Sequence, residues 1–218
     1  AFTGSGGVPL NYLARLNSDG LVDTNFMAGQ VGIDNQINAI AVKADGRMIV
    51  GGNFTSVHGN NRSHFASLTA DGGLDPTFNP LAGANGPVRA VAIDLDGSIL
   101  VAGDFTVVNG TNRNRIARLT STGQLDPSFI PGLGADASVR AIKIQDDGKI
   151  LIGGLFQNFN GQKRARIARL DVNGRLDTSF DPGLGANEFI SVLGLQDDNK
   201  ILAGGGFTDY DGRMRNRF

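Results

Sequence analysis

Asp147-Gly148-Lys149-Ile150-Leu151-Ile152-Gly153-Gly154-Leu155-Phe156 is the stretch of sequence that decides the fold. Its Asp-Gly dipeptide predicts a tight hairpin, because a type I′ turn needs positive φ at both central positions. The consecutive apolar residues that follow predict a strand covered on both faces. The stretch ends in a short motif, Gly-Gly-x-Phe, which recurs along the chain.

The recurrence has a period of 51 residues. The motif ends at Phe54, Phe105, Phe156 and Phe207, with Ala102-Gly103 in place of Gly-Gly in the second copy. A second marker, Leu/Val-Asp-x-x-Phe, occupies 22–26, 74–78, 125–129 and 176–180. A third marker, Asp-Gly or Asp-Asn, begins at 45, 96, 147 and 198. Three markers that share one period identify an internal repeat.

One period divides into four predicted short strands. Strand a is predicted at 37–43, 88–94, 139–145 and 190–196, and strand b at 48–54, 99–105, 150–156 and 201–207. Strand c is predicted at 13–17, 64–69, 115–120 and 166–171, and strand d lies around each Leu-Asp-x-x-Phe. Four antiparallel strands in about 40–50 residues are typical of one β-propeller blade.

The predicted fold is therefore all-β, a propeller of four-stranded antiparallel blades in a single domain. Complete blades are predicted at 37–87, 88–138 and 139–188. Residues 1–36 would supply strands c and d of a preceding blade, and residues 189–218 strands a and b of a following one. Either the two halves close a four-bladed ring, or the chain is an arc of a larger propeller. We favour the arc, whose partner would be the remaining blades of a longer chain or another protein.

Composition supports this fold and excludes several classes of function. Glycine supplies 32 residues, and 20 of the 21 acidic residues are Asp, which favours turns over helices. No cysteine is present, so disulfide scaffolds are excluded. A net charge of −1 argues against nucleic acid as a partner. No apolar run reaches the roughly 20 residues needed for direct membrane insertion.

The sequence offers little for catalysis. Only two histidines, His58 and His64, are present, and neither belongs to a metal-ligand motif. No Gly-x-Ser-x-Gly nucleophile motif occurs. Neighbouring Asp residues in the turns could hold calcium, but the full Asp-x-Asp-x-Asp-Gly loop is missing, which favours turn capping. We therefore predict no catalytic residue, no metal, no cofactor and no enzymatic activity.

Residues that differ between repeats are the better candidates for binding. The segments between strands b and c differ most and are rich in Arg and Asn. The candidates for a ligand or partner site are Arg62, Arg113, Arg115, Arg164, Arg166, Arg213, Arg215, Asn60, Asn112 and Tyr210. Arginine and asparagine suit an anionic or hydroxyl-rich ligand, including a glycan, or a partner protein. The turn aspartates would collect on the opposite rim, so we expect rims of opposite charge.

Residues shared by every repeat are predicted to be structural. Phe54, Phe105, Phe156 and Phe207 should pack between blades. Asp75, Asp126 and Asp177 should cap turns or pair with arginines of strand c.

Two segments carry a family resemblance. Ile167-Ala168-Arg169-Leu170 with Gly174-Arg175-Leu176-Asp177-Thr178-Ser179-Phe180, and the stretch 147–154, resemble the delta-60 repeat. That repeat forms bacterial β-propellers in large secreted or surface proteins, mostly without assigned activity. The resemblance implies an extracellular or cell-surface location and a non-catalytic scaffold or protein-interaction module. Alternatives are a propeller that binds carbohydrate or an anionic ligand on the Arg/Asn-rich rim and, less favoured, a hydrolase or lyase.

Overall fold

The computed structural model describes residues 12–214 and, as backbone alone, the short hairpin of Gly4–Ser5 with Val8–Pro9. Within this part of the chain every regular element is a β-strand. The prediction of an all-β repeat propeller is confirmed by the series of similar antiparallel sheets.

Each repeat builds one sheet whose strands lie in the order a, b, c. Strands a are Ile37–Val42, Val88–Ile93, Val139–Ile144 and Ile190–Leu195. Strands b are Met48–Gly52, Ile99–Gly103, Ile150–Gly154 and Ile201–Gly205. Strands c are Phe65–Leu68, Ile116–Leu119 and Ile167–Leu170. The fourth sheet consists of strands a and b in the described part of the chain.

The fourth strand of each predicted blade is reduced to a single bridge. Leu119 pairs with Leu125, and the chain turns immediately afterwards. The Asp126 carboxylate causes the turn, because its Oδ1 accepts a hydrogen bond of 2.8 Å from the backbone N–H of Ser128. The fourth strand of the blade is thus a short antiparallel bridge to strand c followed by a capped turn.

The segments between strands b and c form small hairpins. They are Ser56–Val57 with Asn60–Asn61, Val107–Val108 with Thr111–Asn112, Asn158–Phe159 with Gln162–Lys163, and Asp209–Tyr210 with Arg213–Met214. Each hairpin bridges to the segment before its own strand a, as Val108 does to Ala84. The tip of the hairpin contacts the turn that follows strand c, since the side-chain amide of Asn109 donates to the Gly123 carbonyl. These segments are consequently packed elements.

The hydrophobic core lies between successive blades. Leu100, Val139 and Ile152 belong to one buried cluster although they come from two neighbouring sheets. Phe54, Phe105 and Phe156 are fully buried, whereas Phe207 is partly exposed. Each strand a lies beside the strand a of the next blade, but those of the first and last blades do not meet in this way. The described sheets therefore form an open arc and do not close a four-bladed ring.

A glycine at the end of strand b permits a bulge in strand a. The register of strand a slips between Val88 and Ala90, where strand b contributes Gly103. A Cβ added to Gly103 would overlap the Pro87 carbonyl oxygen and lie 2.9 Å from the Val88 Cα. The second glycine of the Gly-Gly-x-Phe motif is thus required by the close approach of two backbones.

An ion pair between strand c and the recurring aspartate fastens the turn after strand c in the second and third complete blades. Arg118 Nε donates to Asp126 Oδ2 at 2.7 Å, and its guanidinium lies 5.2 Å from the centre of the Phe129 ring. Arg169 and Asp177 repeat the contact at 2.9 Å. In the first complete blade, Ser67 replaces the arginine and donates to Asp75 Oδ2 at 2.9 Å. The recurring aspartate therefore caps a turn with one oxygen and binds strand c with the other.

Asp177→Asn is expected to weaken the fold in a pH-dependent manner. The hydrogen bond from Ser179 lowers the pKa of Asp177 to about 2, together with its bonds from the Ser179 backbone and Arg169. Because the folded pKa is depressed, the stabilisation is complete above about pH 4 and disappears as the pH falls towards 2. We expect the free energy of unfolding of Asp177→Asn to be about 1–2 kcal/mol lower than that of the parent protein at pH 7. This difference should become smaller below pH 4.

The measurement is urea unfolding of both proteins at several pH values. Asp197→Asn serves as the control, because Asp197 is exposed and forms no ion pair within residues 12–214. A loss that stays constant from pH 7 to pH 2.5 would contradict the role assigned to the Asp177 carboxylate.

Candidate functional site

Three of the candidate arginines hold the hairpin segments in shape. Arg62, Arg113 and Arg164 occupy one repeat position, and each Nη1 donates to the carbonyl of the preceding residue at 2.7, 2.9 and 2.7 Å respectively. Their Nε atoms are buried and find no hydrogen-bond partner in the described part of the chain. Part of each guanidinium is therefore committed to its own loop.

Arg115 and Arg166 share the repeat position that precedes strand c. Both have positive φ, 68° and 72°, and their Nη1 atoms donate to the carbonyls of Asp104 and Leu155. Arg115 also borders a cleft of about 560 Å³ between the second and third blades, together with Asn114, Asp136 and Asn158. The structure thus brings one predicted arginine to a polar inter-blade cleft.

The other candidates are dispersed. Asn60, Asn112 and Arg213 are exposed on the small hairpins. Tyr210 lies at the position of Val57, Val108 and Phe159, which are fully buried, and it packs edge-on against Phe207 at 6.2 Å. That position is a packing position, so Tyr210 is an extension of the core. Arg215 lies outside the described residues.

The opposite charge of the two rims stays a prediction. Three of the turn aspartates between strands a and b have basic partners beside them. Arg47 lies 3.6 Å from Asp45, and Lys149 lies 3.3 Å from Asp147. Lys200 pairs with Asp198 in the same way. The second residue after the aspartate is a base in these three turns, whereas Ser98 takes that place after Asp96, so the acidic charge of this edge is only partly offset.

The histidines show no metal site. His58 Nδ1 accepts from the Gly32 N–H, and its Nε2 contacts the Gly72 carbonyl oxygen at 2.9 Å. Asn109 makes the equivalent two contacts in the next repeat. Burial lowers the pKa of His64. Among residues 12–214 no group of His, Asp or Glu side chains is arranged to hold a metal ion.

A row of functional candidates lies outside the predicted site residues. Every strand a carries its bulge at the second residue, and these four bulged residues are Asn38, Arg89, Arg140 and Ser191. Bulges redirect side chains and are frequent next to binding sites. The signal in the sequence is a polar residue inside an apolar strand, but only strand pairing reveals that it is bulged.

The last sheet exposes an apolar edge. A groove of about 1160 Å³ runs along it and is lined by Phe180, Leu202, Phe207, Tyr210 and Met214. Val192 and Leu202 are more than half exposed there, at 58% and 56%. This edge was implied by the interpretation of the chain as an arc.

The repeat matches a family profile described as domain of unknown function (DUF5122) beta-propeller. The matched residues are 1–26, 43–78, 95–129, 145–180 and 196–218. The chain belongs to this DUF5122 β-propeller family. The match agrees with the resemblance to a delta-60-like repeat. No curated protein matches the chain.

Solved structures share the fold of this DUF5122 chain at low identity. Virginiamycin B lyase from Staphylococcus aureus is 19% identical with a TM-score of 0.49, over 79% of this chain and 51% of the lyase. The WD40 propeller domain of Doa1 is 14% identical with a TM-score of 0.32, over 78% and 76% of the two chains. The DUF5122 chain thus spans about half the length of the lyase.

The prediction that this DUF5122 protein is not an enzyme is corrected. It rested on the fold and on a poor set of catalytic motifs, and the lyases that share the fold are enzymes. A repeat propeller therefore gives no ground for excluding catalysis, and the likeness extends to the fold alone.

The extracellular domain of a protein described as a one component system of B. thetaiotaomicron shares the fold at 15% identity and a TM-score of 0.47, over 83% of this chain and 23% of that one. In the described region of the DUF5122 chain, no helix has the length and apolar character to cross a membrane.

Proposed function

We propose that this chain is an interaction module whose open edge binds a further blade of the same repeat. The observation that carries the proposal is the exposure of Leu202. Ile49, Leu100 and Leu151 occupy the same position in the three preceding sheets and are fully buried, whereas Leu202 is 56% exposed. Burial of one leucine of this size contributes about 1.5–3 kcal/mol.

The internal interfaces indicate which strand would fit against this edge. A Cβ on Gly153 would lie 2.7 Å from Ile190 Cγ2 of the following blade, so a β-branched side chain fills the space over that glycine. Gly204 is the equivalent residue of the last sheet, and among residues 12–214 an added Cβ there would meet only Val192 of its own sheet. The edge is therefore shaped for a β-branched residue at the start of a further strand a.

A second contact supports the same occupant. The ring of Phe129 packs on Gly174, in the turn after strand c of the next blade, and Phe78 packs on Gly123 likewise. Phe78 and Phe129 are 2% and 0% exposed, but Phe180 at the open edge is partly exposed. The expected occupant thus has a β-branched residue at the start of its strand a and a glycine in the turn after its strand c.

The proposal also covers where the protein is located and which chain supplies the further blade. The resemblance to the delta-60 repeat supports an extracellular or surface location and a scaffold role. The blade could belong to the same polypeptide or to another protein. Binding of a glycan or an anion by the arginine-rich segments stays a prediction.

The test extends the chain by one period. Residues 168–218 are copied behind Phe218, which occupies the same position of the repeat as Ile167. The extended protein is expected to gain at least about 2 kcal/mol in free energy of unfolding, because the added blade buries Leu202. Urea unfolding followed by circular dichroism measures the gain.

Leu202→Asp is the matched variant, introduced into both lengths of the chain. It should remove most of the gain in the extended protein and cost little in the original one. An equal gain with and without the substitution would refute docking at this edge. Sedimentation of the original chain tests whether the blade comes from a second molecule. If the chain self-associates and Leu202→Asp abolishes the self-association, the blade that covers Leu202 belongs to another copy.

A further inference from the structure

In the first two complete blades, the bulged residue of strand a binds the residue that follows strand b. Asn38 Nδ2 donates to Asn53 Oδ1 at 3.0 Å in the first complete blade. In the second, Arg89 donates from Nε and Nη2 to Asp104 Oδ2 at 2.9 and 2.6 Å. Each pair joins strands a and b at the same end of the sheet.

Asp104 lies between two guanidinium groups. Arg89 binds its carboxylate, and Arg115 donates to its backbone carbonyl. Burial opposes ionisation, but the hydrogen bonds that Asp104 accepts and the charges of Arg89 and Arg115 outweigh it and lower its pKa. The second blade thus shows how this place holds a carboxylate.

The third blade has the same frame without the carboxylate. Leu155 replaces Asp104, and its N–H donates to the Ser138 carbonyl at 2.8 Å, as the Asp104 N–H does to Pro87. Arg166 donates to the Leu155 carbonyl as Arg115 does to that of Asp104. Arg140 occupies the place of Arg89. The bulged arginine of the third blade therefore lacks the acid that pairs with Arg89 in the second.

Arg140 is arranged to receive an anion. Its guanidinium lies 5.0 Å from the centre of the Phe189 ring and forms no ion pair within the described residues. Stacking on an aromatic face leaves the in-plane N–H donors available for a bidentate contact. Glu188 is exposed nearby, but its carboxylate accepts from the Phe189 N–H and is not paired with Arg140.

We propose that Arg140 binds a carboxylate group of a ligand beside Leu155, as Arg89 binds the Asp104 carboxylate in the second blade. The ligand class is a carboxylate-bearing molecule. Recognition would use Nε and Nη2 of Arg140, the two donors that Arg89 directs at Asp104 Oδ2, and Phe189 would fix the plane of the guanidinium.

In the test, acetate is added to the full chain while the chloride concentration is lowered by the same amount, so that the ionic strength stays constant. The readout is the NMR signal of the Arg140 Nε–H group, assigned by its loss in Arg140→Ala. A saturable shift is expected. Leu155→Asp should fill the position as Asp104 does and raise the apparent dissociation constant at least tenfold. Leu155→Asn is the neutral control and should resemble the parent protein, because Asn53 occupies this position in the first complete blade.

Two further variants keep the test decisive if Leu155→Asp does not fold. Asp104→Leu should create a second site, seen as a new saturable shift of the Arg89 Nε–H signal. Glu188→Gln should leave acetate binding within twofold, which separates the proposed position from the nearby carboxylate. A linear, unsaturated response, or equal affinities in Leu155→Asp and Leu155→Asn, would overturn the proposal.

Discussion

Leu151→Asp is expected to unfold most of the protein at 25 °C, whereas Leu202→Asp should leave it folded. Both leucines occupy the same position of strand b, one period apart. Leu151 is fully buried between two blades, but Leu202 lies on the open edge. Loss of a buried leucine costs about 2–5 kcal/mol, and an unpaired buried carboxylate adds several more. That sum is comparable to the whole stability of a typical domain.

The measurement is urea unfolding of the two variants beside the parent protein. For Leu202→Asp we expect a change of less than about 1 kcal/mol, because a partly exposed carboxylate remains solvated. Equal destabilisation by the two substitutions would contradict the open arc, since it would require Leu202 to be covered by protein. The pair therefore tests the exposed edge independently of any partner.

Gly103→Ala is the second substitution with a large expected effect. The added methyl group would overlap the Pro87 carbonyl oxygen and press on the Val88 Cα, and both atoms belong to the backbone of the bulge. Backbone cannot move aside as a flexible side chain can, so the strand must separate or lose its bulge. We expect a loss of at least about 3 kcal/mol.

Gly110→Ala is the matched control in the same blade. Gly110 has φ +76° in the turn of a small hairpin, and an added Cβ would meet nothing within 4 Å. Its expected cost is the strain of a left-handed alanine, about 1–2 kcal/mol. Thermal unfolding of both proteins distinguishes the two causes. A smaller loss for Gly103→Ala than for Gly110→Ala would show that the close approach does not constrain this glycine.

The positions of strands a, b and c could be predicted because the same turn residues and the same apolar pattern recur in every repeat. Asp-Gly sets the hairpin between strands a and b, and the apolar run after it must be covered on both faces. Strand d is short for a local reason as well. Leu125 has the apolar character of a strand residue, but the Asp126 carboxylate binds the Ser128 N–H and turns the chain.

The candidate binding residues were less predictable. Arginines in variable segments are easily found, but Arg62 and Arg113 use part of their guanidinium on neighbouring carbonyls. Arg140 is inconspicuous in the sequence, because its importance depends on Leu155 standing where the preceding blade has Asp104. That relation appears only when strand pairing places the two residues at one end of a sheet.

The sequence by itself determined the repeat, its period and the all-β propeller fold, because hairpin turns and two-sided burial leave periodic marks in the composition of each strand. Only the tertiary structure decided which equivalent residues are covered and which are free. Leu151 and Leu202 are the same residue type at the same position, yet one lies between blades and the other at the open edge. Burial depends on the neighbouring blade, which lies a whole period away in the chain, and no local pattern records whether that blade is in place.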